Sequence, residues 1–279
     1  MNLQQKRSLL IDALRSYGAV VVAFSGGVDS TFVAAMAWEA LGEHARAITG
    51  LSPSVAVAER EEAAALAQQI GIPHEFVETH EMENPEYVAN SPMRCFHCKD
   101  ELYGVLDAIA AKAGERATVV DGTNADDAGD WRPGRQAATK HGVRSPLLEL
   151  GFTKDEIREL SREMGLPTWD KPAMACLASR IPHGMPVTVD ALDQVGAAEA
   201  ALRRFGIRQV RVRHHGDVAR IETDAAGMAI AFAPGNREQV VERLRNLGFK
   251  HVALDLAGYR SGSMNVAAAG ETSPGMPPN

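Results

Sequence analysis

Three cysteines and one glycine-rich hexapeptide are the residues of this 279-residue chain whose types and spacing could do chemistry. Cys95 and Cys98 stand in Cys-Phe-His-Cys, and Cys176 lies in the stretch from Lys171 to Pro182. An odd number of thiols argues against a disulfide framework and for reactive or metal-binding sulfur. If the three converge, they can hold three irons of a [4Fe–4S] cluster and leave the fourth open to an added ligand such as sulfide. A tetrahedral zinc site from Cys95, His97, Cys98 and Cys176, a redox pair, or separate thiols are the alternatives. Thioredoxin-like exchange is less attractive, because the pair does not open a helix directly after a strand and sits beside Ser91-Pro92.

The hexapeptide is Ser25-Gly26-Gly27-Val28-Asp29-Ser30, between an apolar run, Ala19 to Phe24, and a helical pattern that begins near Thr31. Two glycines let the backbone approach an anion, the helix start offers unpaired N–H groups, and Ser25 and Ser30 add hydroxyls. A nucleotide phosphate is the natural guest. The loop lacks the lysine of the GxxxxGK[ST] pattern and the three-glycine rhythm of the dinucleotide fingerprint.

The elements that must position these groups follow a βα alternation. Apolar segments at 19–24, Ala45 to Leu51, Glu75 to Val77 and Thr118 to Asp121 predict strands, with helices over Glu59 to Ile70 and Lys99 to Ala113. Such alternation implies a parallel, doubly wound α/β sheet, whose ligands sit at the carboxyl ends of the strands. The 25–30 loop and the segment Asp121 to Asp127 should then face one pocket. A further helix is predicted from Lys154 to Met164, capped by Thr153 and ended by Gly165 and Pro167. After an irregular stretch, Trp169 to Pro186, the pattern changes. Helices at Val189 to Phe205 and Asn236 to Leu247, with strands at Gln209 to His214, Ala219 to Thr223 and His251 to Leu256, predict a smaller α+β domain. The expected division is 1–170, a connecting segment 171–187 carrying Cys176, a substrate and oligomerisation domain 188–266, and a mobile tail 267–279.

Composition narrows the function classes. A hydrophobic content of 45% suffices for a full core, and a formal net charge of −7 disfavours a broad surface for long nucleic acids. No apolar stretch approaches the roughly 20 residues that cross a bilayer, and the N-terminus reads as an amphipathic helix, so a soluble, cytoplasmic protein without a membrane partner is expected. His214 and His215, adjacent on an extended segment, point to opposite faces and suit ordinary polar roles. Trp131 and Trp169 could flank a ring or simply line a core edge, and Met36, Leu66 and Leu106 mark core-facing helices.

The loop resembles that of the PP-loop ATP pyrophosphatases, which cleave ATP between the α and β phosphates. Through Ser25 to Thr31, Asp121 to Asp127, Arg132-Pro133-Gly134, Ser145-Pro146-Leu147, Trp169 to Pro182, Arg211 to Arg213, Ala219 to Glu222 and Asp255 to Asn265, the chain resembles the LarE family of sulfur transferases. The resemblance implies that ATP adenylates a carboxylate of pyridinium-biscarboxylic acid mononucleotide, after which sulfur displaces AMP, toward the nickel-pincer nucleotide of lactate racemase. It also implies a homo-oligomer, a hexamer built from trimers. Some members of the family spend the cysteine matching Cys176, leaving dehydroalanine; others use three cysteines to hold a [4Fe–4S] cluster that relays sulfide or another donor's sulfur. The Cys95/Cys98 pair places this chain on the cluster side, with the sacrificial route as rival.

Charge then distributes the roles. Adenylation turns a carboxylate, whose departing group would be oxide, into an acyl phosphate that departs as AMP. The 25–30 loop should hold pyrophosphate, with Asp29 positioning Mg²⁺, Ser30 assisting and Asp126 and Asp127 as further candidates. Arg180, Arg211 and Arg213 are expected to meet the substrate's phosphate and second carboxylate, because residues two apart on a strand share a face and guanidinium forks match these anions. Ser179 adds a hydroxyl. Glu199 and Glu222 could organise the arginines, bind metal, or be solvated surface carboxylates. Rival functions are cluster-dependent tRNA thiolation, which the acidic charge disfavours, an ammonia-using PP-loop ligase, which leaves the cysteines idle, and a metal-binding module, which leaves the loop idle.

Overall fold

A computed structural model of the chain describes residues 2–112, 117–129, 133–172 and 175–260. The chain divides into two compact units, Met1–Val88 with Met93–Ala175, and Ala89–Pro92 with Cys176–Asn279.

In the first unit, helix α1 (Leu3–Ser16) leads into β1 (Val20–Ala23), α2 (Val28–Leu41), β2 (Ala45–Leu51), α3 (Val57–Ile70) and β3 (His74–Glu78). Helices α4 (Pro85–Val88) and α5 (Arg94–Lys112) precede β4 (Thr118–Val120), and α6 (Gly134–Lys140), α7 (Pro146–Glu149) and α8 (Lys154–Glu163) complete it. The strands form one parallel sheet in the order β3-β2-β1-β4. All of β1 is buried, as a central parallel strand covered on both faces must be. Its alternate residues feed two cores. Val20 and Val22 pack with Phe32, Met36 and Ile157, while Val21 and Ala23 pack with Ile48, Tyr103 and Leu106. Period-two alternation on one strand thus holds a helical layer on each face, which is the doubly wound arrangement.

Two helix starts differ markedly from the sequence expectation, and α3 begins two residues early, at Val57. Helix α2 begins at Val28, not near Thr31, because Gly27 in an extended conformation serves as its N-cap and draws Val28, Asp29 and Ser30 into the first turn. Helix α5 begins at Arg94, so Cys95 and Cys98 lie in its opening turn; the segment joining it to β3 holds α4, so no strand feeds it directly. The expected caps of α8 are present. Thr153 accepts from the Glu156 amide, and the Glu156 carboxylate accepts from the Thr153 amide in return.

The second unit carries a 3₁₀ turn (Leu177–Arg180), α9 (Val189–Arg204), β5 (Val210–His215), β6 (Val218–Thr223), α10 (Ala225–Phe232), α11 (Asn236–Asn246) and β7 (His251–Leu254). Its sheet has the order β5-β6-β7, antiparallel then parallel. Residues 89–92 belong to this unit because the buried Asn90 amide donates to the carbonyls of Ile181, Pro182 and Met185 at 3.2, 2.8 and 2.9 Å. Helix α10 is absent from the sequence expectation. Its run AAGMAIAF shows no amphipathic stripe, and only the Asp224 cap, accepting from the Gly227 amide at 2.7 Å, marks its start. The tail from Ala267 lies outside the described residues.

Candidate active site

The hexapeptide joins the carboxyl end of β1 to the start of α2. Gly26 adopts a positive φ of 67°, and a Cβ there would meet Ala63 of α3 at 3.3 Å, so the position needs glycine on both counts. The first intrahelical bond of α2 runs from the Thr31 amide to the Gly27 carbonyl at 3.0 Å. The amides of Val28, Asp29 and Ser30 therefore precede the helical ladder, and Gly27 offers no side chain to cap them. The loop holds itself in shape. The Ser25 amide donates to Ser30 Oγ at 3.2 Å, the two hydroxyls lie 3.0 Å apart, and Ser30 Oγ reaches the Gly27 carbonyl at 3.3 Å. Such a helix start, with convergent donors and a partial positive charge, is built to receive an anion.

The loop after β4 closes on the first turn of α2. A Cβ on Gly122 would lie 2.8 Å from the Ser30 amide nitrogen, so the two backbones touch. Asp121, 6% exposed, accepts from Tyr103 Oη at 2.9 Å, Thr123 Oγ1 at 2.9 Å and Ser145 Oγ at 2.7 Å. It is a brace for the loop. Burial, reinforced by the neighbouring Asp121 charge, pushes the Tyr103 hydroxyl well above its ordinary range, so it stays a donor. Asn124 Nδ2 donates to Asp29 Oδ1 at 3.3 Å, and Lys154 Nζ meets Asp29 Oδ2 at 2.5 Å. Asp126 accepts from the Lys154 amide at 2.7 Å, and Asp127 from the Asn124 amide at 3.1 Å. The 25–30 and 121–127 loops, expected to face one pocket, are in direct contact. Asp29, however, is paired with a lysine.

Cys95 is exposed and Cys98 half-buried, three apart on the first turn of α5 and so on neighbouring positions of one face. Cys176, half-buried, belongs to the second unit, where it caps the 3₁₀ turn Leu177–Arg180. Among the described residues no group of three or more His, Cys, Asp or Glu side chains is gathered closely enough to hold a metal ion. His97, considered above as a zinc ligand, packs its ring edge-on against Phe96 at 5.4 Å.

The expected arginines gather in the second unit. Arg180, Arg211 and Arg213 are 1%, 6% and 5% exposed, and Glu199 and Glu222 are each 1% exposed. Glu199 accepts Arg180 Nε at 2.8 Å, Arg203 Nη2 at 3.1 Å and the Val212 amide at 3.1 Å. Glu222 accepts Arg213 Nη2 at 2.6 Å and pairs with Arg220 at 3.1 Å. Of the three roles weighed for these carboxylates, solvation at the surface is excluded by burial, and every oxygen of both has a guanidinium partner. Burial pushes the Glu199 carboxyl up, but Arg180, Arg211 and Arg203 outweigh it and hold the group below its usual range. Burial, with the Arg180 charge nearby, lowers Arg211 from its ordinary value, and its guanidinium lies 5.3 Å from the Tyr259 ring centre. Ser179 accepts from Arg180 Nη1 through its hydroxyl at 2.9 Å and from Arg213 Nη1 through its carbonyl at 3.0 Å.

Other expectations resolve simply. His214 and His215 take separate partners, Gln194 at 2.8 Å and Arg220 at 3.2 Å. Trp169 is 39% exposed with Arg162 over its ring, a surface shelf and not a core edge; Trp131 lies outside the described residues. The residues that sequence reasoning missed are cations. Lys154 reaches Asp29 and Lys171 donates to the Gly26 carbonyl at 2.9 Å, yet neither stands in a pattern that announces a partner more than a hundred positions away. A cavity of about 350 Å³ lined by Glu81, Asn84, His97 and Glu101 shares no residue with the loop.

A parallel doubly wound sheet with a glycine-rich turn at the first strand–helix junction defines an α/β fold of the nucleotide-binding type, and a family model described as NAD synthase matches residues 3–91. The pyridinium-3,5-bisthiocarboxylic acid mononucleotide synthase of Lactiplantibacillus plantarum is 39% identical over 94% of this chain and 95% of its own. An uncharacterized protein of Synechocystis is 49% identical over 88% of this chain and 91% of its own. A tRNA-specific 2-thiouridylase of Rickettsia akari is 29% identical over 56% of this chain and 52% of its own. The chain belongs to the LarE family, that of the Lactiplantibacillus synthase.

Proposed function

We propose that this protein is an ATP-dependent sulfurtransferase that adenylates a carboxylate of pyridinium-3,5-biscarboxylic acid mononucleotide and exchanges the AMP for sulfur. The observation that carries the reading is the uncapped start of α2, closed over by the Gly122 loop, in a chain of this family. A substrate carboxylate oxygen attacks the α-phosphorus; the bond to the β-phosphate oxygen breaks, and pyrophosphate leaves with the electron pair. The amides of Val28, Asp29 and Ser30 and the hydroxyls of Ser25 and Ser30 stabilise that departing charge. A sulfur nucleophile then adds to the carbonyl carbon, and AMP departs.

Asp29 offers carboxylate oxygens, the donor type that Mg²⁺ prefers, and would position the ion against the phosphates, with Asp126 and Asp127 as further candidates. Binding there requires Lys154 to yield Asp29. Arg180, Arg211, Arg213 and Ser179 are assigned to the mononucleotide's anionic groups, with Glu199 and Glu222 setting the angles of the guanidinium forks. Thiolates suit iron, and Cys95, Cys98 and Cys176, which the described structure does not gather into one site, would have to be brought together to hold a [4Fe–4S] cluster with an open iron for sulfide. The rival is Cys176 itself as donor: its thiolate takes the acyl group, a base removes its α-proton, and elimination leaves dehydroalanine and the thiocarboxylate. Cytoplasmic location and a homo-oligomer, a hexamer by resemblance, complete the reading. Among the described residues no helix is long and apolar enough to cross a membrane.

The test is anaerobic preparation with counting of iron and labile sulfide, followed by the mass of the Cys176 peptide after turnover. Iron with unchanged mass supports relay, loss of sulfur supports self-sacrifice, and no AMP formation with the mononucleotide refutes the function. The half-length match to a tRNA thiouridylase keeps tRNA as a second substrate to try; salt-dependent tRNA binding would favour it.

A further inference from the structure

Lys171 occupies an unusual place for a lysine. Its side chain is only 13% exposed, and its ammonium sits 2.9 Å from the Gly26 carbonyl in the hexapeptide and 2.8 Å from Glu62 on α3. The backbone that carries it is braced, since Arg158 on α8 donates to the carbonyls of Trp169 at 2.5 Å and Lys171 at 2.8 Å. An ammonium has three N–H donors, and two are used here. Glu62, 47% exposed, is a solvated and therefore weak counter-ion. A desolvated cation fixed to the carbonyl face of an anion-binding loop, with a donor to spare and a partner it can release, is placed for a multiply charged guest.

We propose that Lys171 is a ligand of the departing pyrophosphate, exchanging Glu62 for a phosphate oxygen when the loop fills. This rests on the function proposed above. In that reaction charge accumulates on the β- and γ-phosphates, so the lysine acts on these groups and not on the adenylate that remains.

The full-length protein is titrated calorimetrically with inorganic pyrophosphate, α,β-methylene-ATP and AMP, in the presence of Mg²⁺. Lys171→Met should weaken pyrophosphate and the analogue about tenfold or more and leave AMP unchanged, as loss of one charge-assisted hydrogen bond requires, and Lys171→Arg should recover part of the loss. Glu62→Gln, which removes the competitor, should tighten pyrophosphate a few-fold. Unchanged pyrophosphate affinity in Lys171→Met overturns the assignment. So does equal weakening of AMP, or weakening by Glu62→Gln, either of which makes the pair a brace for the loop. Wild-type protein that binds none of the three overturns the proposed function as well, whereas tight wild-type binding with an indifferent Lys171→Met removes this inference alone.

Discussion

Gly122→Ala tests the closure of the β4 loop over the start of α2. The residue does not have a positive φ, so alanine brings no backbone strain, only volume. The new Cβ would lie 2.8 Å from the Ser30 nitrogen and 3.0 Å from the carbonyl carbon and Cβ of Asp29, where ordinary contact begins at 3.4 Å. The first turn of α2 or the loop must retreat by about 0.6 Å, a gap set by hard-core contact. Overpacking of this kind costs about 1–3 kcal/mol. The atom struck is one of the amide donors of the cradle, and a misplacement near 1 Å at a reacting site can cost about 100-fold in rate. We therefore expect ATP–pyrophosphate exchange, measured with the mononucleotide, to fall between about tenfold and 100-fold, and the urea midpoint to drop. Gly104→Ala in α5 is the control. Its Cβ would meet only His141 at 3.6 Å, so it should gain up to about 1 kcal/mol from helix propensity and keep wild-type exchange. Gly122→Ala with unaltered exchange and an unaltered midpoint would refute the packing argument.

Asp29→Asn should abolish most AMP formation while costing about 1 kcal/mol or less in urea unfolding, because the Lys154 pair it breaks is a quarter exposed; unchanged AMP formation counts against the assigned role. Lys154→Met, which leaves Asp29 without its ammonium, should lower the Mg²⁺ concentration that half-saturates AMP formation, and a higher requirement would mean that the lysine serves the metal site. Arg211→Ala should raise KM for the mononucleotide about tenfold with ATP affinity intact; equal loss of both points to misfolding. For Glu199 the folded pKa lies below its unfolded value near 4.5, so its stabilising contribution is complete above that pH and is lost as pH falls below it. Glu199→Gln should cost about 3–5 kcal/mol at pH 7 and flatten the acid limb below pH 4.5, read by urea unfolding across pH.

Much of the first unit was legible before any coordinates. Apolar runs at 20–23 and 45–51, punctuated by Gly26-Gly27 and separated by a stretch long enough for a helix, leave few arrangements other than a parallel sheet with its loops at one end. The cap at Thr153 was equally local, being a side chain three residues from its partner amide. The short helices α4, α6 and α7 escaped, and so did two longer features. Helix α10, apolar on every side, carries no periodicity to read, and the opening turn of α5 is hidden because Arg94, buried at 6% exposure, interrupts the expected pattern.

The hexapeptide, the cysteine spacing and the arginine pair on β5 were determined by the chain itself, since each depends on the identity and order of residues a few positions apart. Tertiary structure alone decided which charges meet. Lys154 and Lys171 come to Asp29 and Gly26 across more than a hundred residues, and Glu199 and Glu222 turn from potential surface groups into buried partners of arginine. Electrostatic pairing depends on distance and burial in space, and a one-dimensional pattern encodes neither.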